Sequence, residues 1–168
     1  MQTYTHLLIG LVTGKALFPD NIWVQGACAT GAILPDLVMV PKFALDRIRG
    51  KKPMTQQSDR LMAIKEMSHS LPLWVAIGLI GLFPLGMMQS HVLAFSLGGV
   101  SHIATDILSH RDYQYRKYDL TYMWPLPFSL YGFAPWEYRK GHGDLSPKPL
   151  EAVVIFILVV AYSLLWLK

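Results

Sequence analysis

Residues 68–110 read SHSLPLWVAIGLIGLFPLGMMQSHVLAFSLGGVSHIATDILSH. The apolar block at 71–100 is longer than the roughly 20 residues that one membrane-spanning helix needs. It is interrupted near Pro84, Gly86, Gln89, Ser90 and His91, all suited to a turn. The pattern predicts a helical hairpin with arms over 71–85 and 91–109. Ser70 is placed to cap the first arm, and Pro72 is tolerated in a first turn.

Composition agrees with a lipid environment. The chain has 168 residues, of which 52% are hydrophobic and 15% charged; its mean hydropathy is +0.33. Soluble domains carry about 25% charged residues. A chain of this length has too much surface to hide so much apolar material in one aqueous core. The net charge of +4 is too small and too dispersed to suggest nucleic acid. It fits basic loops facing anionic lipid. The single cysteine, Cys28, excludes an internal disulfide and reads as a small helix-packing residue. No cleavable signal is expected, because a basic leader is missing and Lys15 soon interrupts the first apolar run.

Three further apolar stretches flank the hairpin. Residues 5–18 carry Gly10 and Gly14. Residues 22–40 are rich in Gly and Ala, which let helices approach closely in lipid. Residues 152–167 are interrupted only by Ser163. Phe18-Pro19-Asp20-Asn21 reads as a turn between the first two helices. The expected fold is all-α: one membrane-embedded domain of four to five short helices. Two polar stretches, 41–66 and 110–149, read as loops. A hairpin separates them, so they share a side, and their Lys and Arg residues predict that this side is cytoplasmic. The Tyr and Trp residues crowding 113–138, Tyr122 and Trp124 among them, read first as an interfacial anchor and second as a lid over a site for lipid-like substrates.

Ionisable residues within apolar helices are costly and usually functional. His102, Asp106 and His110 recur every four residues, on one helical face. Such nitrogen and oxygen donors suit zinc or a similar divalent ion. Folding the hairpin at about residue 88 brings His69 level with about residue 107, beside Asp106. Folding the first pair at its turn brings His6 level with about residue 34, beside Asp36. His6, Asp36, His69, His102 and Asp106 are therefore expected to converge near one end of the bundle. His110 lies a turn nearer water. His91 belongs to the opposite end, His142 to a loop, and Glu66 to a helix entry. No Gly-x-Ser-x-Gly, phosphate-binding loop or paired-cysteine motif occurs.

Thr5-His6, Gly31-x3-Pro35-Asp36, Ser68-His69-Ser70, Gly98-x3-His102-x3-Asp106 and Met123-Trp124-Pro125-Leu126 together resemble the YdjM-like family of membrane-bound metal-dependent hydrolases. The resemblance runs over about residues 1–127. A more distant likeness is to zinc-dependent phospholipases C and single-strand nucleases. Three positions depart from the family pattern: Val38 replaces a second acid after Pro-Asp, and Ile64-Lys65 replace a His-Arg pair. The resemblance implies a hydrolase of the bacterial or archaeal inner membrane.

The expected chemistry is hydrolysis assisted by a divalent metal, preferentially zinc, with Asp36 or Asp106 as proton acceptor. Membrane lipid is the expected partner, and a hydrophobic or lipid-like ester or phosphoester the expected substrate. The alternatives are a small transporter, or a non-catalytic membrane adaptor stapled by a structural metal or polar cluster.

Overall fold

A computed structural model of the protein describes residues 3–50, 59–109, 122–126 and 149–167. All regular structure among them is helical: α1 (Thr3–Leu17), α2 (Ile22–Leu37), α3 (Val40–Ile48), α4 (Asp59–Ser68), α5 (Leu71–Ile80), α6 (Met88–Ser109) and α7 (Pro149–Trp166). The all-α expectation holds, but seven helices replace four to five. The surplus comes from 41–66, expected as a loop, which contributes to α3 and α4. An amphipathic helix such as α3 and a polar one such as α4 give no continuous apolar run for a hydropathy reading to find. α3 is supported instead by Pro41 in its first turn and an i,i+4 pair, Lys42 with Asp46. The apolar stretch at 22–40 also divides, bending by 46° between α2 and α3.

The α1–α2 hairpin closes through side chains that satisfy its turn. Asn21 caps α2 by accepting from Trp23 N (3.1 Å) and Val24 N (3.2 Å). Gln25 Nε2 donates back to Phe18 O (2.9 Å), and Lys15 Nζ to Pro19 O (3.0 Å). The helices then pack through small residues: a Cβ added to Gly10 would stand 2.6 Å from Ala32 Cβ.

α2 also packs against α6, at the centre of the fold. Here the two backbones touch. A side chain on Gly31 would run into the Phe95 carbonyl, and one on Gly98 into the Cys28 carbonyl. α5 lies antiparallel to α6. Trp74 spreads over Gly99, and Ser96 Oγ donates to the Trp74 carbonyl (2.6 Å). The Trp74 ring forms a core cluster with Ile103, Ile107 and Tyr122. Tyr122 is only 2% exposed, which corrects its expected place in an interfacial belt; Trp124 is exposed. The other aromatic residues of 113–138 lie outside the described residues.

α7 rests on α1, clasped at both ends. Thr5 Oγ1 donates to Glu151 Oε1 (2.7 Å), and Lys15 Nζ lies 4.1 Å from the Trp166 ring centre. These clasps make α1 and α7 parallel. The N-termini of α1, α5 and α7 and the C-termini of α2, α4 and α6 therefore share one end of the bundle. The described residues that flank both connections, Val38 and Ser70, and Ser109 and Pro149, stand at that end.

Of the described helices, Met88–Ser109 alone is long and apolar enough to cross a membrane by itself. Its 22 residues measure about 33 Å. The bent α2–α3 pair passes the same test if it is one broken span. Large apolar side chains stand exposed on most helices, among them Trp23, Leu79, Ile80, Phe156 and Leu164.

Candidate metal centre

Five ionisable side chains meet at the end shared by these termini. His6 comes from α1, Asp36 from the last turn of α2, and His102 and Asp106 from successive turns of α6. His69 occupies the break between α4 and α5. His6 Nε2 is 3.1 Å from Asp106 Oδ1, and His102 Nε2 is 3.3 Å from Asp106 Oδ2. His69 Nε2 lies 3.8 Å from Asp36 Oδ1 and 3.9 Å from Asp106 Oδ2; His102 Nε2 lies 3.9 Å from Asp36 Oδ1. Two overlapping triads, His6–Asp36–His102 and His69–His102–Asp106, each bring three donor atoms within 4.8 Å of one another. The His6 and His102 rings stack at 3.9 Å, with His69 edge-on to His102 at 5.2 Å.

The outer nitrogens of the three rings are all engaged. His102 Nδ1 is 2.7 Å from the Ala32 carbonyl, an obligate acceptor. His69 Nδ1 is 3.0 Å from the Lys65 carbonyl. His6 Nδ1 is 3.1 Å from Thr105 Oγ1, whose one hydrogen is directed at the Ser101 and His102 carbonyls, so the oxygen can accept. Each Nδ1 therefore carries the hydrogen, by inference from its partners. Each Nε2 then faces the carboxylates, as a lone pair when the ring is neutral and as a donor when it is an imidazolium. The Nε2 atoms of His6 and His102 are buried and face the Asp106 oxygens at 3.1 and 3.3 Å. Asp36 is oriented in turn by Thr3, whose Oγ1 donates to Oδ2 (2.7 Å).

Lone pairs facing carboxylate oxygens repel unless a cation lies between them. A proton would relieve one such contact. Three imidazoles and two carboxylates around one point suit a divalent ion better. Tetrahedral bonds of 2.0–2.1 Å set donors about 3.4 Å apart. The nitrogen–oxygen spacings of 3.1–3.9 Å lie around that value, and all donors of each triad lie within 4.8 Å of one another, close to what the ion their chemistry implies needs. The Asp36 side chain, at 28% exposure, is the open side of the cluster; the other four are buried.

His110 and His142 lie outside the described residues. His91 sits in the first turn of α6, about 16 Å along the helix from His102. Its Nδ1 contacts the Met87 carbonyl. Glu66 is half-buried on α4. Sequence reasoning missed the supporting hydroxyls Thr3, Thr105 and Ser68. Their only signal is a Ser or Thr beside, or one helical turn from, a ligand-type residue. Glu151, the residue before the apolar stretch 152–167, is buried against Thr5.

No curated protein and no solved structure matches the chain. The family model described as YdjM inner membrane protein matches it over residues 1–168, all of its length. The chain therefore belongs to the YdjM family of inner membrane proteins.

Proposed function

We propose that the protein is a membrane-embedded, metal-dependent hydrolase whose site holds zinc or a similar divalent ion at the cytoplasmic edge of the bilayer. The observation that carries this reading is the convergence of three imidazole Nε2 atoms on two carboxylates, each ring held at its Nδ1 by a carbonyl or hydroxyl oxygen. Held this way, the donors need no rearrangement to receive an ion. A bound divalent ion supplies Lewis acidity, polarising an ester and making water acidic near neutral pH.

The chain's own residues divide the remaining work. His102 and Asp106 share one rigid helix and define the position of the site. Asp106 faces His6 on one oxygen and His102 on the other, which favours a holding role. Asp36 has its Oδ2 tied to Thr3 and is the most open of the set. It is the better-placed proton acceptor for water entering from the open side.

The apolar exterior and the family's inner-membrane location favour a substrate that partitions into lipid, an ester or phosphoester. The test is incubation of the zinc-loaded, detergent-purified chain with vesicles of phosphatidylethanolamine and phosphatidylglycerol. Released head groups and fatty acids are measured. Product formation that Asp36→Asn abolishes, while metal content is retained, supports the reading. Loaded enzyme that releases neither product counts against a lipid-hydrolase role.

A further inference from the structure

His69 is placed differently from its four companions. His6, Asp36, His102 and Asp106 lie within continuous helices, whose repeat fixes where their side chains stand. His69 lies just past the end of α4, tied to it by its amide bond to the Lys65 carbonyl (3.0 Å) but followed at once by the break before α5. Its neighbours are instead clamped from both sides. Ser68 Oγ reaches the Pro35 carbonyl (3.3 Å), and the Ser68 carbonyl accepts from Trp74 Nε1 (2.8 Å). Ser70 Oγ donates to the Trp124 carbonyl. Leu71 N, an amide in the first turn of α5 with no partner inside its own helix, donates to the Tyr122 carbonyl (2.8 Å).

The second pair of clamps comes from a short, distant piece of chain, 122–126. That piece is seated by the Tyr122 ring, packed among Trp74, Ile103 and Ile107. Ile103 and Ile107 directly follow His102 and Asp106 on α6. Tyr122 has φ 50°, a conformation that residues with a Cβ avoid. A buried ring and a backbone bond that keep it there suggest a placed element.

We propose that Tyr122 is a positioning residue for His69. Its ring locks 122–126 into the α5–α6 core, and the carbonyls of Tyr122 and Trp124 then fix the α4–α5 junction. The imidazole is thereby held facing Asp36 and Asp106. The consequence for metal binding rests on the reading of His69 as a ligand; the positional claim does not.

The test reads histidine burial without metal. Full-length protein in detergent and excess chelator is treated with diethyl pyrocarbonate, and each histidine's modification is followed by mass spectrometry. In the wild type, His69, His6 and His102 should be protected, with His91 as the reactive control. Tyr122→Ala should raise His69 modification about tenfold by local opening, leaving His6 and His102 protected. Tyr122→Phe, which keeps the ring, should match the wild type. The proposal is overturned if His69 is already as reactive as His91 in the wild type. It is equally overturned if Tyr122→Ala leaves His69 protected, or if all three site histidines open together. Because no metal is present, failure of the metal reading would not affect these outcomes.

Discussion

His102 is fastened to the backbone of the neighbouring helix: its Nδ1 donates to the Ala32 carbonyl at 2.7 Å. That bond spans the contact where Gly31 and Gly98 allow α2 and α6 to touch. The distance between two helix backbones thus sets the height of a ligand ring.

Gly31→Ala should separate α2 from α6, because its methyl group would occupy the place of the Phe95 carbonyl. Overpacking of this kind costs about 1–3 kcal/mol. The thermal midpoint in detergent should fall, and metal affinity with it. Gly26→Ala, with nothing near its added Cβ, should leave both unchanged. Equal behaviour of the two variants would show that the close approach is not needed.

Thr105→Val should weaken the ion by removing the acceptor that holds His6 Nδ1. Loss of such a supporting bond typically costs about 10–100-fold in metal affinity. The fold should persist, since Val fills nearly the same volume. Competition titration against a chelating dye measures the change. An unaltered affinity would remove Thr105, and with it the assigned His6 tautomer, from the site.

The end of the bundle bearing the cluster should face the cytoplasm. Cysteines placed at Arg49 and Leu126, both exposed and on segments that leave from that end, should resist an impermeant thiol reagent added outside intact cells. A cysteine at Met87, 91% exposed in the α5–α6 turn, should react. Buried Cys28 should stay silent. The reverse pattern would invert the orientation.

The convergence of His6, Asp36, His69, His102 and Asp106 was legible because it needed only helix rise and the positions of two turns. His69 counted to about residue 107, and its Nε2 stands 3.9 Å from an Asp106 oxygen. The helices at 40–48 and 59–68 were not legible, since their apolar residues alternate with Lys, Arg, Asp and Glu and leave no continuous apolar run. Nor were the partners of the histidine Nδ1 atoms. Two are main-chain carbonyls, of Ala32 and Lys65, which every residue type carries alike. Tyr122 could not be told from the tyrosines around it, because its burial depends on contacts with α5 and α6 that lie far off in sequence.

Divalent metal per chain, determined on purified wild type, His102→Ala, Asp106→Ala and His91→Ala with helicity checked by circular dichroism, tests the metal centre most directly. The wild type and His91→Ala should carry the ion. His102→Ala and Asp106→Ala should lose it, because both triads use His102 and the Asp106 carboxylate faces all three imidazoles. A wild type that binds no divalent metal under any loading condition would contradict the centre, as would a His91→Ala variant that loses metal as readily as His102→Ala.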